Sequence, residues 1–180
     1  EQELYQMVEA VRAEIRLPLA VKLSPFYTAA VNVAAELDRR GVNALVLFNR
    51  FLQPDIDPDG ESLHNEMVYS TPAELKLPLR WAALLHGRIR ADLAVTSGVH
   101  SGRDAAKALL AGATVVQLAS ALLQNGIPYL STMLRELEAW MGEHGYRRPE
   151  DFRGKLSQKQ ADDPFLFERA QYVNLLLAQK

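Results

Sequence analysis

Apolar residues recur at helical spacing through Leu4, Met7, Val8, Val11 and Ile15, which predicts an amino-terminal helix that ends before Pro18. The pattern then changes. Leu19-Ala20-Val21-Lys22-Leu23 is a short, nearly continuous apolar run stopped by Ser24-Pro25, and it predicts a buried strand. Residues 27–40 return to the helical period through Ala30, Val33, Ala34 and Leu37, with Gly41 placed to end the helix. A second strand is predicted at residues 43–48, a third at 92–96 and a fourth at 114–118, each apolar without strict alternation. That pattern is what burial on both faces of a parallel sheet requires. Helices are predicted at 77–90, 103–111, 120–125, 129–144 and from Pro164 onward, with a basic connection at 147–159. Residues 50–76 read as a long polar loop rich in Pro, Asp and Gly.

Strict alternation of helices with short buried strands predicts a parallel α/β architecture. An eight-stranded (β/α) barrel typically needs about 250 residues, so a chain of 180 residues holds about half of one, some four βα units. An open doubly wound sheet of four or five strands is the competing geometry.

Charge and composition narrow the function classes. Twenty Lys and Arg against 22 Asp and Glu leave a formal charge of −2, too little field to hold nucleic acid or an anionic membrane. With no cysteine, disulfides, thiolate metal sites and a cysteine nucleophile are excluded among these residues. No apolar run reaches the roughly 18 residues that span a bilayer, and Glu1-Gln2-Glu3-Leu4 has no signal-peptide character, so a cytoplasmic protein is expected. The opening residues already read as mid-helix and carry no initiator Met, which points to a natural start further upstream.

The most informative segment is Thr96-Ser97-Gly98-Val99-His100-Ser101-Gly102-Arg103-Asp104. A strand that ends in a Gly-containing turn and opens a helix exposes backbone N–H groups, which suits a phosphate. The next strand ends in the same way at Leu118-Ala119-Ser120-Ala121, and two such turns on neighbouring strands form a joint cup. The bland reading is two ordinary turns that use glycine for geometry alone. Neither Gly-x-Gly-x-x-Gly nor the P-loop pattern occurs, which disfavours dinucleotide and Walker-type sites. Lys22 stands in an otherwise apolar strand, so it either faces an anionic ligand or extends its ammonium past the sheet edge to water. Asn49, just past the second strand, has the same placement. His64, His86, His100 and His144 lack metal-ligand spacing, and no metal is expected. Asp55, Asp57, Asp59, Gly60 and Glu66 match the core of a calcium loop, but what precedes them is the tail of a strand ending at Pro54 rather than a helix. The stripe Met133, Leu134, Leu137, Trp140 and Met141 reads as helix packing.

Taken in register, several motifs resemble one family. They are Val21-Lys22-Leu23-Ser24-Pro25, Leu47-Phe48-Asn49-Arg50, residues 96–105, Leu110-Ala111-Gly112-Ala113-Thr114-Val115-Val116-Gln117 and Ser120-Ala121-Leu122. Over residues 17–145 they resemble the carboxyl-terminal half of the dihydroorotate dehydrogenase family, flavin-dependent (β/α)₈ barrels. Phe152-Arg153-Gly154-Lys155 resembles the tail of the bacterial dihydroorotate dehydrogenase-like branch.

The resemblance implies FMN as cofactor and oxidation of dihydroorotate to orotate in pyrimidine biosynthesis, with hydride passing to flavin N5. It places Lys22 at the flavin ring, where its charge stabilises the reduced form, and Asn49 between flavin and substrate. Ser97, Gly98 and Val99 from one turn, and Ala119 and Ser120 from the next, would hold the phosphate. The family usually has two glycines where this chain has Ser97-Gly98, and Gly-Thr where it has Ala119-Ser120. Its general base comes from the amino-terminal half of the barrel. A half-barrel leaves strand edges uncovered, so pairing with the remaining half, or self-association as a dimer, is expected. A non-catalytic half-barrel that assembles and binds a phosphorylated ligand is the alternative of a different class; a phosphate-binding lyase or isomerase barrel is a third.

Overall fold

The computed structural model describes residues 1–51 and 53–167. Its elements, in chain order, begin with α1 (Gln2–Glu14), β1 (Ala20–Leu23), α2 (Ala30–Arg39) and β2 (Ala44–Leu47). A hairpin of β3 (Asp55–Asp57) and β4 (Ser62–His64) leads to a 3-10 turn at Pro72–Leu75 and α3 (Lys76–Leu85). There follow β5 (Asp92–Thr96), α4 (Gly102–Ala111), β6 (Val115–Gln117), α5 (Ser120–Asn125) and α6 (Tyr129–Glu143).

Strands β1, β2, β5 and β6 make one parallel sheet in that spatial order. Spatial order follows chain order, whereas a doubly wound sheet reverses at its switch point, so the competing geometry is set aside. The register aligns Leu23, Leu47, Val95 and Val116 across the four strands, and Lys22, Val46, Ala94 and Val115 one position earlier. Leu23, Leu47 and Val95, with Leu45 and Leu93, form a core with Tyr5 and Val8 of α1, Val33, Ala34 and Leu37 of α2, Ala82, Ala83 and Leu85 of α3, and Ala108 and Ala111 of α4. On the other face Ala20, Lys22, Val115 and Gln117 of the edge strands are exposed, while Val46 and Ala94 of the two central strands are buried. The helices therefore cover one side of the sheet. Among the described residues no helix is long and apolar enough to cross a membrane.

The predicted loop at 50–76 contains structure that the sequence pattern did not signal. In the β3–β4 hairpin Ile56 pairs with Leu63, and both strands are exposed throughout. Asp55 and Asp57 spend carboxylate oxygens on the nearby amides of Ile56 and Asp59, at 2.8 and 3.0 Å, so the acidic spacing serves the turn. Helix α3 stops at Leu85, earlier than its apolar period suggests, because Gly87 takes a left-handed conformation (φ 74°). Beyond α6 the chain runs through 3-10 turns at Pro149–Asp151 and Pro164–Phe167; the remainder of the helix expected from Pro164 lies outside the described residues.

Residues 152–158 tie the helical layer together. The amides of Gly154 and Leu156 donate to Leu109 and Leu110 O at 2.9 Å, and that of Gln158 donates to Ala83 O at 3.0 Å. Phe152 is fully buried against Trp140 and Tyr146, ring centroids 5.1 and 5.0 Å away. The His86 ring fits here because Gly112 and Gly154 have no side chain: a Cβ on either would lie 2.5 Å from a His86 carbon. The α4–α6 crossing depends on Gly102 in the same way, since a Cβ there would stand 2.5 Å from Leu137 N and Glu136 Cβ. Backbone cannot swing aside as a side chain can. Gly102→Ala is expected to force the helices apart and cost about 1–3 kcal/mol, measurable by denaturant unfolding.

Candidate functional site

The site begins where β5 ends. After Thr96 two successive residues, Ser97 and Gly98, adopt left-handed backbone angles, each with φ 74°. Gly98 is required, because its missing Cβ would lie 2.9 Å from Leu75 Cα and closer still to Leu75 N. Ser97 holds a conformation that costs an L-residue roughly 1–2 kcal/mol. Together they turn the chain so that the amides of Ser97, Gly98 and Val99 donate to no acceptor among the described residues. The amides of Ser120 and Ala121, after β6, are similarly unengaged.

The start of α4 is different. Its N-cap Ser101 accepts from the Asp104 amide at 3.1 Å, and the Gly102 amide donates to Glu136 Oε2 at 2.7 Å. The Asp104 carboxylate in turn accepts from the His100 amide, the Ser101 hydroxyl and Lys107 Nζ at 3.2, 2.9 and 2.8 Å. The Gly102, Asp104 and Ala105 amides of this helix terminus are thus held by the protein itself. The amides open to an anion are those of the turn before it, which narrows the sequence expectation to Ser97, Gly98 and Val99. Burial (5% exposed) pushes the Asp104 carboxyl up, but Lys107, Ser101 and the His100 amide together outweigh it and hold it below the usual range.

Both turns line one cavity of 160 Å³. Ser97, Gly98 and Val99 form one side, Ala119 and Ser120 another, and Lys22 from the neighbouring part of the sheet a third. Lys22 has no ion-pair partner among the described residues. Asn49 lies apart, on an adjoining cavity of 330 Å³ that shares Arg50 and Ser97 with the first. Its amide donates to Leu23 O at 2.7 Å, which fixes Asn49 at the carboxyl end of β1 and β2. Phe26, Phe48 and Lys76 also line this second space. Six of the seven residues singled out in the sequence thus meet in one cavity, and the seventh borders the next.

Three further side chains at the site were not singled out for a role. Arg50 donates from Nε to Glu74 at 2.7 Å and from its terminal nitrogens to Glu74 and to the carbonyls of Val68 and Tyr69. Burial pushes the Glu74 carboxyl up, yet Arg50 and the Thr71 amide prevail and lower it. Ser70 is buried beside the first cavity; its amide donates to Ser120 Oγ at 3.0 Å and its hydroxyl lies 3.2 Å from His100 Nε2. Arg50 was visible as the neighbour of Asn49, but Ser70 sits in a polar stretch with no periodicity to mark it. Among the described residues no group of three or more His, Asp or Glu is placed to hold a metal ion.

A one-way-wound parallel sheet carries an amide-lined, lysine-flanked cup at its carboxyl end, a geometry open to an anion. Comparison with known proteins gives the family. Residues 1–141 match the dihydroorotate dehydrogenase profile, and the chain belongs to that family. It is 32% identical over 155 residues to "Dihydroorotate dehydrogenase B (NAD(+)), catalytic subunit" of Pelobacter propionicus, covering 84% of this chain and 50% of that protein. The protein of the same name from Methanothermobacter thermautotrophicus is 27% identical over 154 residues, 83% of this chain and 51% of the relative. "Dihydroorotate dehydrogenase A (fumarate)" of Lacticaseibacillus paracasei is 30% identical over 137 residues, 73% and 47% respectively. The chain spans about half the length of these curated relatives.

Two expectations follow from the geometry. Ser97→Gly removes the left-handed strain and is expected to raise stability by about 0.5–1 kcal/mol, the strain relief being offset in part by a more flexible unfolded chain; thermal unfolding measures it. Asp104 has a depressed carboxyl, so its contribution is present above the unfolded value near 3.9 and is lost as pH falls through the lower folded value. The stability gap between the parent and Asp104→Asn should therefore be constant from pH 5 to 7 and close below about pH 4.

Proposed function

We propose that this chain is the carboxyl-terminal half of a (β/α)₈ barrel that binds FMN and oxidises dihydroorotate to orotate. The carrying observation is the cavity that brings Lys22 together with the free amides of both turns. A phosphate monoester needs several N–H donors, and the unengaged amides of Ser97, Gly98, Val99 and Ser120 line the cavity. The helix-free face bearing Lys22 and the unpaired edges of β1 and β6 fit the interior and the seams of a barrel wall. We infer that the preceding half of the barrel, or a second copy, closes those seams.

The donor set suits FMN. Ser97, Gly98 and Val99 would hold the phosphate from one side and Ala119 and Ser120 from the other, leaving Lys22 further along the sheet face for the flavin ring. Bound FMN supplies the hydride acceptor, a chemistry no side chain here possesses. The task of this chain is placement and charge. Lys22 sets a positive group at the ring, Asn49 offers an amide to ring or substrate, and the adjoining cavity gives the substrate a wall of Phe26 and Phe48. The names of the relatives support the substrate, and the cup supports the cofactor.

Purified protein is expected to show flavin absorption bands and to release FMN on denaturation. Lys22→Ala should retain FMN yet slow its reduction by dihydroorotate by about 10²-fold, on the scale of losing one preorganised electrostatic partner, in stopped-flow measurements. A colourless protein that takes up no added FMN would favour the non-catalytic half-barrel.

A further inference from the structure

The segment after the β3–β4 hairpin does more than return the chain to α3. Between positions 68 and 74 it touches the loops that follow three different strands. Arg50, after β2, grips the carbonyls of Val68 and Tyr69 and the carboxylate of Glu74. Ser120, after β6, accepts from the Ser70 amide at 3.0 Å. His100, after β5, meets the Ser70 hydroxyl at 3.2 Å. The Glu74 end is fixed again by a reciprocal cap, in which the Thr71 amide donates to Glu74 Oε1 at 2.8 Å. Polar backbone is held in place across the cup by named partners at every step.

We propose that residues 68–71 are a strap built into the anion site, that Arg50 with Glu74 is the positioning pair that holds it, and that Ser70 presents its hydroxyl to the bound phosphate group as a further ligand. The proposal rests on the phosphate reading of the cup and extends it to residues outside the two strand-end turns.

Two features separate this from a plain loop contact. Ser70 is only 6% exposed, yet it lines the same cavity as Lys22, Ser97, Gly98 and Ser120. A buried hydroxyl needs a partner for both its donor and its acceptor side. The Ser70 hydroxyl has one protein neighbour, His100 Nε2 at 3.2 Å; in the tautomer that donates from Nε2 the hydroxyl proton is free for an anion in the cavity. Arg50 also lines the cavity, but its fork already makes four bonds to Glu74 and the two carbonyls, so it acts on the ligand through the strap.

The test measures binding of inorganic phosphate by ³¹P NMR and of FMN by flavin fluorescence, in the parent protein, Ser70→Ala, Glu74→Gln and Arg50→Lys, with unfolding curves as the control for folding. Ser70→Ala should weaken both ligands by about tenfold, as for loss of one hydrogen bond to a charged group, and should shift the ³¹P resonance of bound FMN. Glu74→Gln and Arg50→Lys should each weaken binding, add little to Ser70→Ala, and speed proteolysis between residues 66 and 71. If Glu74→Gln instead tightens phosphate binding, Arg50 is a direct ligand restrained by its carboxylate and the strap is overturned. Unchanged affinity in Ser70→Ala, with the parent binding FMN, also overturns it while leaving the flavin reading intact. Binding of phosphate but not FMN, with the Ser70→Ala loss, supports the strap and removes the flavin. A parent that binds neither removes both.

Discussion

A backbone packed where no side chain fits, Gly98 against Leu75, governs the arrangement of the whole site. The left-handed pair Ser97-Gly98 turns the chain sharply at the end of β5 and leaves three amides without an acceptor among the described residues. Because the turn packs directly on Leu75, it also fixes the 3-10 turn Pro72–Leu75 and the start of α3. Glu74 is part of that turn, and through Glu74 the position of Arg50 is set. The cup, the segment lying over it and the entry to the second cavity are therefore one rigid construction. A larger residue at position 98 would disturb all three together.

The layer behind the site is ordinary by comparison. Apolar faces of α1 to α4 meet the alternate residues of four parallel strands, and burial of Leu37, Leu45, Leu47 and Val95 supplies the usual hydrophobic stabilisation. What differs from a free-standing domain is the other face. Lys22 and Gln117 would not be tolerated beneath a covering helix without partners, and both stand on the face away from the helices.

The parallel sheet was legible because buried strands leave continuous apolar runs, and residues 19–23, 43–48, 92–96 and 114–118 each contain an observed strand. The meeting of Lys22 with Ser97 and Ser120 was legible because strand ends in such a sheet necessarily share one rim. The hairpin was not, since Asp55–Asp57 and Ser62–His64 are exposed on both faces and bury nothing that could impose a period. Nor was the place of Ser70, whose contacts with Ser120 and His100 join residues 50 and 30 positions apart through short polar groups. Ser101 and Asp104 do carry a local signal, a hydroxyl and a carboxylate three residues apart at a helix start. It marks the terminus of α4 as capped by its own Ser101 and Asp104.

The His86 ring, enclosed by Gly112 and Gly154, bears on the order in which the chain acquires its structure. Arg88 is bridged to Gln158 at 2.5 Å across 70 positions of sequence, and Phe152 closes the same seam. During synthesis from the amino terminus, α3 and α4 leave the ribosome with their lower ends open, and only later does the segment that seals them emerge. The nascent sheet must wait, with apolar helix ends in contact with solvent, until residues 152–158 are translated. The helical layer is closed by residues 152–158, well after the cup-forming turns have been made.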